Sequence, residues 1–260
     1  MKNFSLILGS GGVKGLAHIG VLRYLEEINL KPEVIIGSSA GSLIGALKAK
    51  GLDSREIQEL LLTSRSLKLL DFSNFKESIM HGKKINAFLE KHLNLDFDEL
   101  KIPLIVNAVD LKTGKEVKLN KGLVCEAIRA SISIPGVVKP VKRDDMLLVD
   151  AGFTDPLPFQ YVPKSKKVLA VDVSSSLLKL DDNPSIIAIL RQSFYITQNN
   201  AAIRTKKLYF SSNLAPENFK YLKLDLSKHD MLNFIQKDED YKQIISYGYE
   251  TAKKELKSFK

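Results

Sequence analysis

The stretch of sequence that decides the fold is "VIIGSSAGSLIGAL", residues 34–47. Its first residues are β-branched and apolar, which favours a buried strand, and its last residues are apolar at helical spacing. Gly37 and Gly41 flank Ser39 and remove side chains that would collide at the bend. The pattern G-x-S-x-G between a strand and a helix is typical of a nucleophile elbow. Ser39 is therefore the candidate nucleophile, and the start of the following helix favours negative charge on its hydroxyl oxygen.

Composition indicates one well-packed domain with a basic surface. The chain has 260 residues, of which 44% are hydrophobic, so we expect a single domain over residues 1–260. The formal net charge of +9 predicts attraction to anionic surfaces, such as a bilayer rich in anionic lipid. Ordinary solvated lysine faces explain the same charge. Nothing in the pattern singles out nucleic acid, and we expect no nucleic-acid partner.

The only cysteine, Cys125, limits the chemistry that the chain can use. One cysteine excludes an internal disulfide framework and a multi-cysteine metal site. It lies among apolar residues at helical spacing, which predicts a buried thiol. No stretch is long enough for a membrane-spanning helix, and the first residues depart from a signal-peptide pattern. We therefore expect a cytoplasmic protein, and its charge leaves peripheral contact with an anionic membrane open.

Short apolar runs alternate with longer amphipathic ones, which predicts an α/β layered fold. The expected strands lie at 4–8, 34–36, 103–109, 146–149, 167–173 and 207–210. The expected helices lie at 13–28, 40–50, 53–63, 83–93, 122–131, 184–203 and 239–258. Asp53 and Glu56 have capping-box spacing. Thr113 and Gly114, between two alternating runs, predict a hairpin appended to the sheet.

A glycine-rich loop, "LILGSGGVKGLAHIGVL" at residues 6–22, follows the first expected strand. A dinucleotide fingerprint counted from Gly9 needs a glycine where Lys14 stands, and a P-loop needs Gly-Lys-Ser/Thr in that order. Both nucleotide-binding patterns therefore fail on spacing. Bare backbone amides at a helix start suit an oxyanion hole, because glycine lets a carbonyl approach closely. A tight strand-to-helix turn without chemistry is the alternative.

A serine nucleophile needs a base, and the histidines are weak candidates for it. Only His229 lies downstream of every candidate acid, as the order of an α/β-hydrolase triad requires. His18, His81 and His92 lie in amphipathic runs that favour satisfied or solvated histidines.

The better candidate base is Asp150, in "MLLVDAGFTDPLP" at residues 146–158. An aspartate at the end of a buried strand is partly desolvated, which raises its pKa and its basicity. An aspartate that only caps backbone amides is the alternative. Asp155, Asp172 and Asp110 are weaker candidates for the same role.

Four ordered motifs resemble those of the patatin-like phospholipases. They are "GSGGVKGLAHIGVL", "GSSAGSLIGAL", "RASISIPGVVKPV" and "LVDAGFTDPLP", and the likeness runs from about Leu6 to Asp172. The resemblance implies a three-layer α/β/α sandwich around a mainly parallel sheet. It also implies acyl-ester hydrolysis on phospholipids or lysophospholipids by a Ser-Asp dyad, without histidine, metal or cofactor.

Carried onto this sequence, the resemblance makes Ser39 the nucleophile, Asp150 the base, and Gly11 and Gly12 the oxyanion donors. The residues that support these motifs are Gly9, Lys14, Gly15, Gly37, Gly41 and Gly152. Three positions depart from the family pattern: Ser10 stands where many members have glycine, Lys14 replaces an arginine, and Ala151 replaces a glycine after the aspartate. Lys14 keeps the positive charge but loses a bidentate contact.

Other functions and surfaces stay open at this point. A non-catalytic lipid- or acyl-binding protein would keep the same fold, and a Ser-His-Asp esterase would use His229. Segment 65–84 combines basic and apolar residues and suits a lid or an interfacial helix, although a surface helix packed on the core explains it too. Residues 183–200 suit the lining of an acyl pocket or an ordinary core helix. The sequence does not indicate the oligomeric state.

Overall fold

The computed structural model describes residues 4–63, 78–163, 167–174, 177, 180–211, 219–229, 237–257 and 259. Their strands form one mixed sheet in the order β5-β6-β3-β2-β1-β7-β8. An eighth strand, β4, also pairs with β3. The strands are β1 (Phe4–Leu8), β2 (Val34–Gly37), β3 (Leu104–Asp110), β4 (Glu116–Leu119), β5 (Val141–Arg143), β6 (Met146–Val149), β7 (Lys167–Asp172) and β8 (Phe219–Lys223).

The central part of the sheet is parallel and one edge is antiparallel. β3, β2, β1, β7 and β8 pair in parallel, whereas β4 and β6 pair antiparallel with β3, and β5 with β6. Thr113 and Gly114 lie in the turn between β3 and β4. Because parallel strands all end at one edge, β1 and β2 deliver their loops side by side.

Helices cover both faces of the sheet, so the α/β layered fold is confirmed. They are α1 (Ala17–Glu27), α2 (Ala40–Lys50), α3 (Ser54–Thr63), α4 (Ser78–Leu93), α5 (Val124–Ser131), α6 (Ile186–Ser211) and α7 (Asp238–Glu255). Successive residues of β1 point to opposite faces. Leu6 and Leu8 join the core that α1, α2 and α7 complete, and Ile7 joins a second core that includes Ala202 and Tyr209 of α6.

The helices α1 and α7 cross at two glycines. A Cβ atom on Gly20 would lie 2.0 Å from the carbonyl oxygen of Ile245, and one on Gly248 would lie 2.1 Å from that of Ala17. Only glycine fits at such a backbone contact. Since α1 directly follows the glycine-rich loop, α7 packs against the helix that holds the end of that loop.

The strand predicted at 207–210 is wrong, because these residues end α6. Ala201, Ala202 and Tyr209 are all buried, and their spacing continues one helical face past the predicted helix end at 203. β8 was not predicted, because its half-exposed residues lack the apolar pattern of a covered strand.

Two local predictions are confirmed. The amide of Asp53 donates to Glu56 Oε2 at 2.7 Å and the amide of Glu56 donates to Asp53 Oδ1 at 2.8 Å, which completes the capping box. Cys125 is a buried free thiol. Residues 65–77 of the predicted lid or interfacial segment, 65–84, lie outside the described residues. In the described ranges, no helix combines the length and the apolar character needed to cross a bilayer.

Candidate active site

Ser39 lies at the bend between β2 and α2. Its φ of +52° is a conformation that residues with a side chain rarely adopt, and such strain costs about 1–3 kcal/mol. The bend is tight enough to require both flanking glycines: a Cβ on Gly37 would lie 2.5 Å from Ser42 Cα, and one on Gly41 would lie 2.0 Å from the carbonyl oxygen of Leu8. The sequence therefore folds locally into the elbow that its glycines predict.

The hydroxyl of Ser39 points at the carboxyl group of Asp150. Ser39 Oγ donates to Asp150 Oδ2 at 2.5 Å, and the amide of Gly152 donates to Oδ1 at 2.7 Å. Both side chains are buried. Burial raises the pKa of Asp150 to about 7, against the opposing effect of these two hydrogen bonds. Near neutral pH the carboxylate is thus basic enough to accept a proton and is still substantially ionised.

The last residue of α5 and the residues after it form hydrogen bonds with the backbone of both members of this pair. Ser131 Oγ accepts a hydrogen bond from the amide of Ser39 at 3.0 Å, and the carbonyl oxygen of Ser133 accepts one from the amide of Asp150 at 3.0 Å. Arg129 in turn donates to Ser133 Oγ at 2.5 Å. No role was predicted for Ser131 or Ser133, although both lie in the "RASISIPG" motif.

The glycine-rich loop lies beside the elbow and presents two backbone amides. The amide of Gly9 donates to Val171 O at 3.0 Å and that of Ser10 to Pro156 O at 2.9 Å. The amides of Gly11 and Gly12, in contrast, have no hydrogen-bond acceptor among the described residues. Two unpaired donors at the start of a helical turn suit a developing oxyanion, and Ser10 at its position removes neither of them.

His18 fixes the carbonyl side of the same loop. Its Nε2 lies 2.8 Å from Gly9 O, and burial lowers its pKa to about 4. The ring is therefore neutral at pH 7, and Nε2 carries the proton because a carbonyl oxygen can only accept. His18 is a buried and bonded histidine, which is the interpretation that the sequence favoured.

Close approaches between the loops explain the remaining glycines of the motifs. A Cβ on Gly15 would lie 2.5 Å from the Cβ of Ala40, which starts α2, and one on Gly152 would lie 2.5 Å from Ser10 Oγ. Ala151, where the family pattern has glycine, is buried and does not have a positive φ, so its side chain strains nothing.

The other candidate acids and the candidate histidine have different surroundings. Asp110 accepts from Leu147 N and Thr113 Oγ1, Asp172 from Lys223 Nζ and Ser174 N, and Asp155 from Gln160 Nε2. Across the described ranges, no hydrogen bond links the ring of His229 to Ser39 or Asp150. The pKa of His229 is lowered, first by partial burial and then by the charge of Lys14, which is itself buried.

The stretch of chain that holds Ser39 and Asp150 matches a known protein family. The model of the patatin-like phospholipases matches residues 6–163, which is more than half of the chain. The chain belongs to this family. In this patatin-like phospholipase family member, the matched range includes the glycine-rich loop, Ser39, Ser131 and Asp150.

Individual relatives agree with this assignment. An uncharacterized NTE family protein of Mycobacterium tuberculosis is 40% identical over 173 residues, which are 65% of this chain and 48% of that protein. Lysophospholipase NTE1 of Candida albicans is 27% identical over 272 residues, which are 94% of this chain and 19% of that protein. The patatin-like family member thus spans about half the length of the mycobacterial relative.

A solved structure shows the same fold. VipD from Legionella pneumophila superposes with a TM-score of 0.59 over 100% of this chain and 67% of its own, at 13% sequence identity. At this identity the likeness is one of architecture, and it agrees with a mixed sheet covered on both faces by helices.

Proposed function

We propose that this patatin-like protein hydrolyses fatty-acyl ester bonds of phospholipids or lysophospholipids through a Ser39–Asp150 dyad. The observation that carries the proposal is the 2.5 Å hydrogen bond from Ser39 Oγ to a buried carboxylate whose pKa is raised to about 7. The lysophospholipase name of the fungal relative supports the substrate class. We also propose that residues 1–260 form one domain, because β1 pairs with β7, which lies beyond the range matched by the family.

The first half of the reaction forms an acyl-enzyme. Asp150 Oδ2 takes the proton of Ser39 as Oγ attacks the ester carbonyl carbon, and the carbonyl oxygen becomes an oxyanion. The amides of Gly11 and Gly12 donate to this oxyanion. Collapse of the intermediate breaks the bond to the alcohol oxygen, which leaves with the proton that Asp150 received.

The second half returns the free enzyme. Asp150 takes a proton from a water molecule, the water oxygen attacks the acyl carbon, and the same amides hold the second oxyanion. The ester bond to Ser39 Oγ then breaks, and Oγ recovers the proton from Asp150 as the fatty acid leaves. The strained elbow keeps Oγ in one position through both halves, which limits the entropy lost at each attack.

The test is Ser39→Ala, with Ser38→Ala as the matched control. Ser38 is the neighbouring buried serine, and its hydroxyl donates to Asp155 O at 3.3 Å rather than to the dyad. We expect Ser39→Ala to lower kcat/KM for a lysophospholipid by at least about 10³-fold and to abolish labelling by a fluorophosphonate probe, whereas Ser38→Ala keeps both.

Two outcomes contradict separate parts of the proposal. If Ser39→Ala still labels and hydrolyses like the wild type, the dyad is wrong. If Ser39 labels but mass spectrometry detects no fatty acid released from lysophospholipid or diacyl phospholipid, the dyad stands and the substrate class is wrong.

A further inference from the structure

The long helix α6 exposes an unusual amount of apolar surface. Of the eleven large apolar side chains that the described part of the chain exposes, seven lie on α6. The remaining ones are scattered, as single exposed apolar residues normally are. A concentration on one helix indicates that this face contacts something other than water.

Four of these side chains form a stripe, which we call the α6 stripe: Ile189, Ile196, Ile203 and Phe210. They are seven residues apart, and in an α-helix a seven-residue step returns to the same face with a drift of about 20°. The stripe is roughly 30 Å long at 1.5 Å per residue. Tyr195 and Ala202, which precede Ile196 and Ile203 by one position, are buried in the core instead.

The charge of α6 has one sign. The sequence from residue 183 to residue 216 contains no aspartate or glutamate, and α6 itself contains Arg191, Arg204, Lys206 and Lys207. Arg204 and Lys207 are exposed and lie within one turn of Ile203. Outside α6, Arg204 interacts with Glu116: burial raises the pKa of Glu116, and the charge of Arg204 offsets part of that rise. An apolar stripe beside exposed cations, with no anion on the same helix, fits a partner that is apolar and anionic.

The inner face of α6 contacts both loops of the candidate active site. Gln198 Nε2 donates to Ser10 Oγ at 3.1 Å, and the rings of Phe194 and Phe153 have centroids 3.9 Å apart. The α6 stripe therefore lies within about one helix diameter, roughly 10 Å, of the residues that frame Ser39 and Asp150.

We propose that the α6 stripe docks the protein on a bilayer of anionic phospholipid. Apolar side chains enter the boundary between head groups and acyl chains, and cations beside them meet anionic head groups. A second copy of this chain is a poorer partner, because two copies of α6 would face each other with basic side chains and no acidic ones, and like charges repel. The inference builds on the proposed function, since a lipid substrate would then meet the dyad from the surface on which the protein lies.

The first experiment measures vesicle binding separately from hydrolysis. Ser39→Ala protein is sedimented with vesicles of phosphatidylcholine alone and of phosphatidylcholine mixed with phosphatidylglycerol. We expect binding to the mixed vesicles that decreases with added salt. Ile203→Asp should weaken it about tenfold, and Arg204→Glu with Lys207→Glu by at least about tenfold.

Matched controls lie on α7, on the opposite face of the sheet. Tyr247→Asp replaces an exposed apolar side chain, and Lys242→Glu with Lys254→Glu reverses two exposed cations. We expect neither control to change vesicle binding. Equal losses from the α6 and α7 variants, or no loss from Ile203→Asp, would overturn the docking surface.

A second measurement excludes misfolding and a protein partner. In the wild-type background, Ile203→Asp should keep hydrolysis of a short, monomeric ester within about twofold while hydrolysis of vesicle lipid falls about tenfold. A concentration-dependent dimer that forms without lipid and is lost in Ile203→Asp would overturn the bilayer in favour of a second copy. If no ester is hydrolysed at all, the proposed function fails while the vesicle-binding result stands by itself.

Discussion

Asp150 and Asp155 lie five residues apart on one loop, and they have nearly the same electrostatics. Both are buried, and burial raises the pKa of each to about 7. Their partners differ. Asp150 accepts from the hydroxyl of Ser39, whereas Asp155 accepts from the amide of Gln160 at 2.5 Å and, in the described part of the chain, has no partner for Oδ1.

Burial alone is enough to raise the pKa of a carboxyl group, so a raised pKa does not by itself identify a catalytic base. The amide of Gln160 donates a hydrogen bond but is too weak an acid to transfer its proton to a carboxylate. Asp155 therefore has no nucleophile beside it to activate. The backbone of Asp155 has a supporting role instead, because its carbonyl oxygen accepts from Asn107 Nδ2 at 2.8 Å. What distinguishes Asp150 is a transferable proton within contact.

The largest effect that tests this difference comes from a pair of isosteric changes. Asp150→Asn should lower kcat/KM for a lysophospholipid by about 10³-fold or more, because an amide cannot accept the serine proton. Asp155→Asn should stay within about threefold of the wild type. An Asp155→Asn variant as inactive as Asp150→Asn would show that the two carboxyl groups work together.

The pH dependence of the rate sharpens the same comparison. Asp150 must be ionised to act as a base, so kcat/KM should rise with pH and level off above about 7. One unit below that pKa the rate should be about tenfold lower. The rising limb should persist in Asp155→Asn. Loss of the limb in that variant, measured with an ester that does not titrate, would assign it to Asp155.

A smaller effect is expected at Ser131 and Ser133, which form hydrogen bonds with the backbone amides of Ser39 and Asp150. Ser131→Ala leaves the amide of Ser39 without its acceptor, and we expect a three- to tenfold lower kcat with KM unchanged. Ser133→Ala is the matched control, because the atom that bonds Asp150 is the main-chain oxygen. Equal losses in kcat, with thermal unfolding to monitor stability, would indicate general loosening of α5 instead.

The smallest effect is expected at His229. If Asp150 is the base, His229→Ala should change kcat/KM by less than about twofold. A loss of several powers of ten would restore the Ser-His-Asp alternative and reduce Asp150 to orienting an imidazole. Steady-state hydrolysis of a soluble ester decides between them.

The site residues that the sequence predicted are those whose local pattern spans only a short stretch of chain. A strand, a glycine-framed bend and a helix follow each other within residues 34–47, so Ser39 stands out without knowledge of the fold. The same holds for Asp150 at the end of β6. The acceptor role of Ser131 depends on how α5 approaches the elbow, and no local pattern encodes that approach.

The misassigned end of α6 has a related cause. Residues 207–210 include Leu208, Tyr209 and Phe210, which suit a strand by propensity, but the helical face that buries Tyr209 decides their structure. β8 is likewise defined by its pairing, from Val168–Phe219 to Asp172–Lys223, rather than by its own composition.

The crossing at Gly20 and Gly248 joins two helices that lie far apart in the sequence. α1 is synthesised early, and the helix that locks against it comes near the far end of the described chain. Contacts between segments so distant in sequence form slowly, because a long loop must close first. A nascent chain that already carries Ser39 and Asp150 therefore still lacks the helix that packs behind the glycine-rich loop, and this packing forms only after Gly248 has left the ribosome.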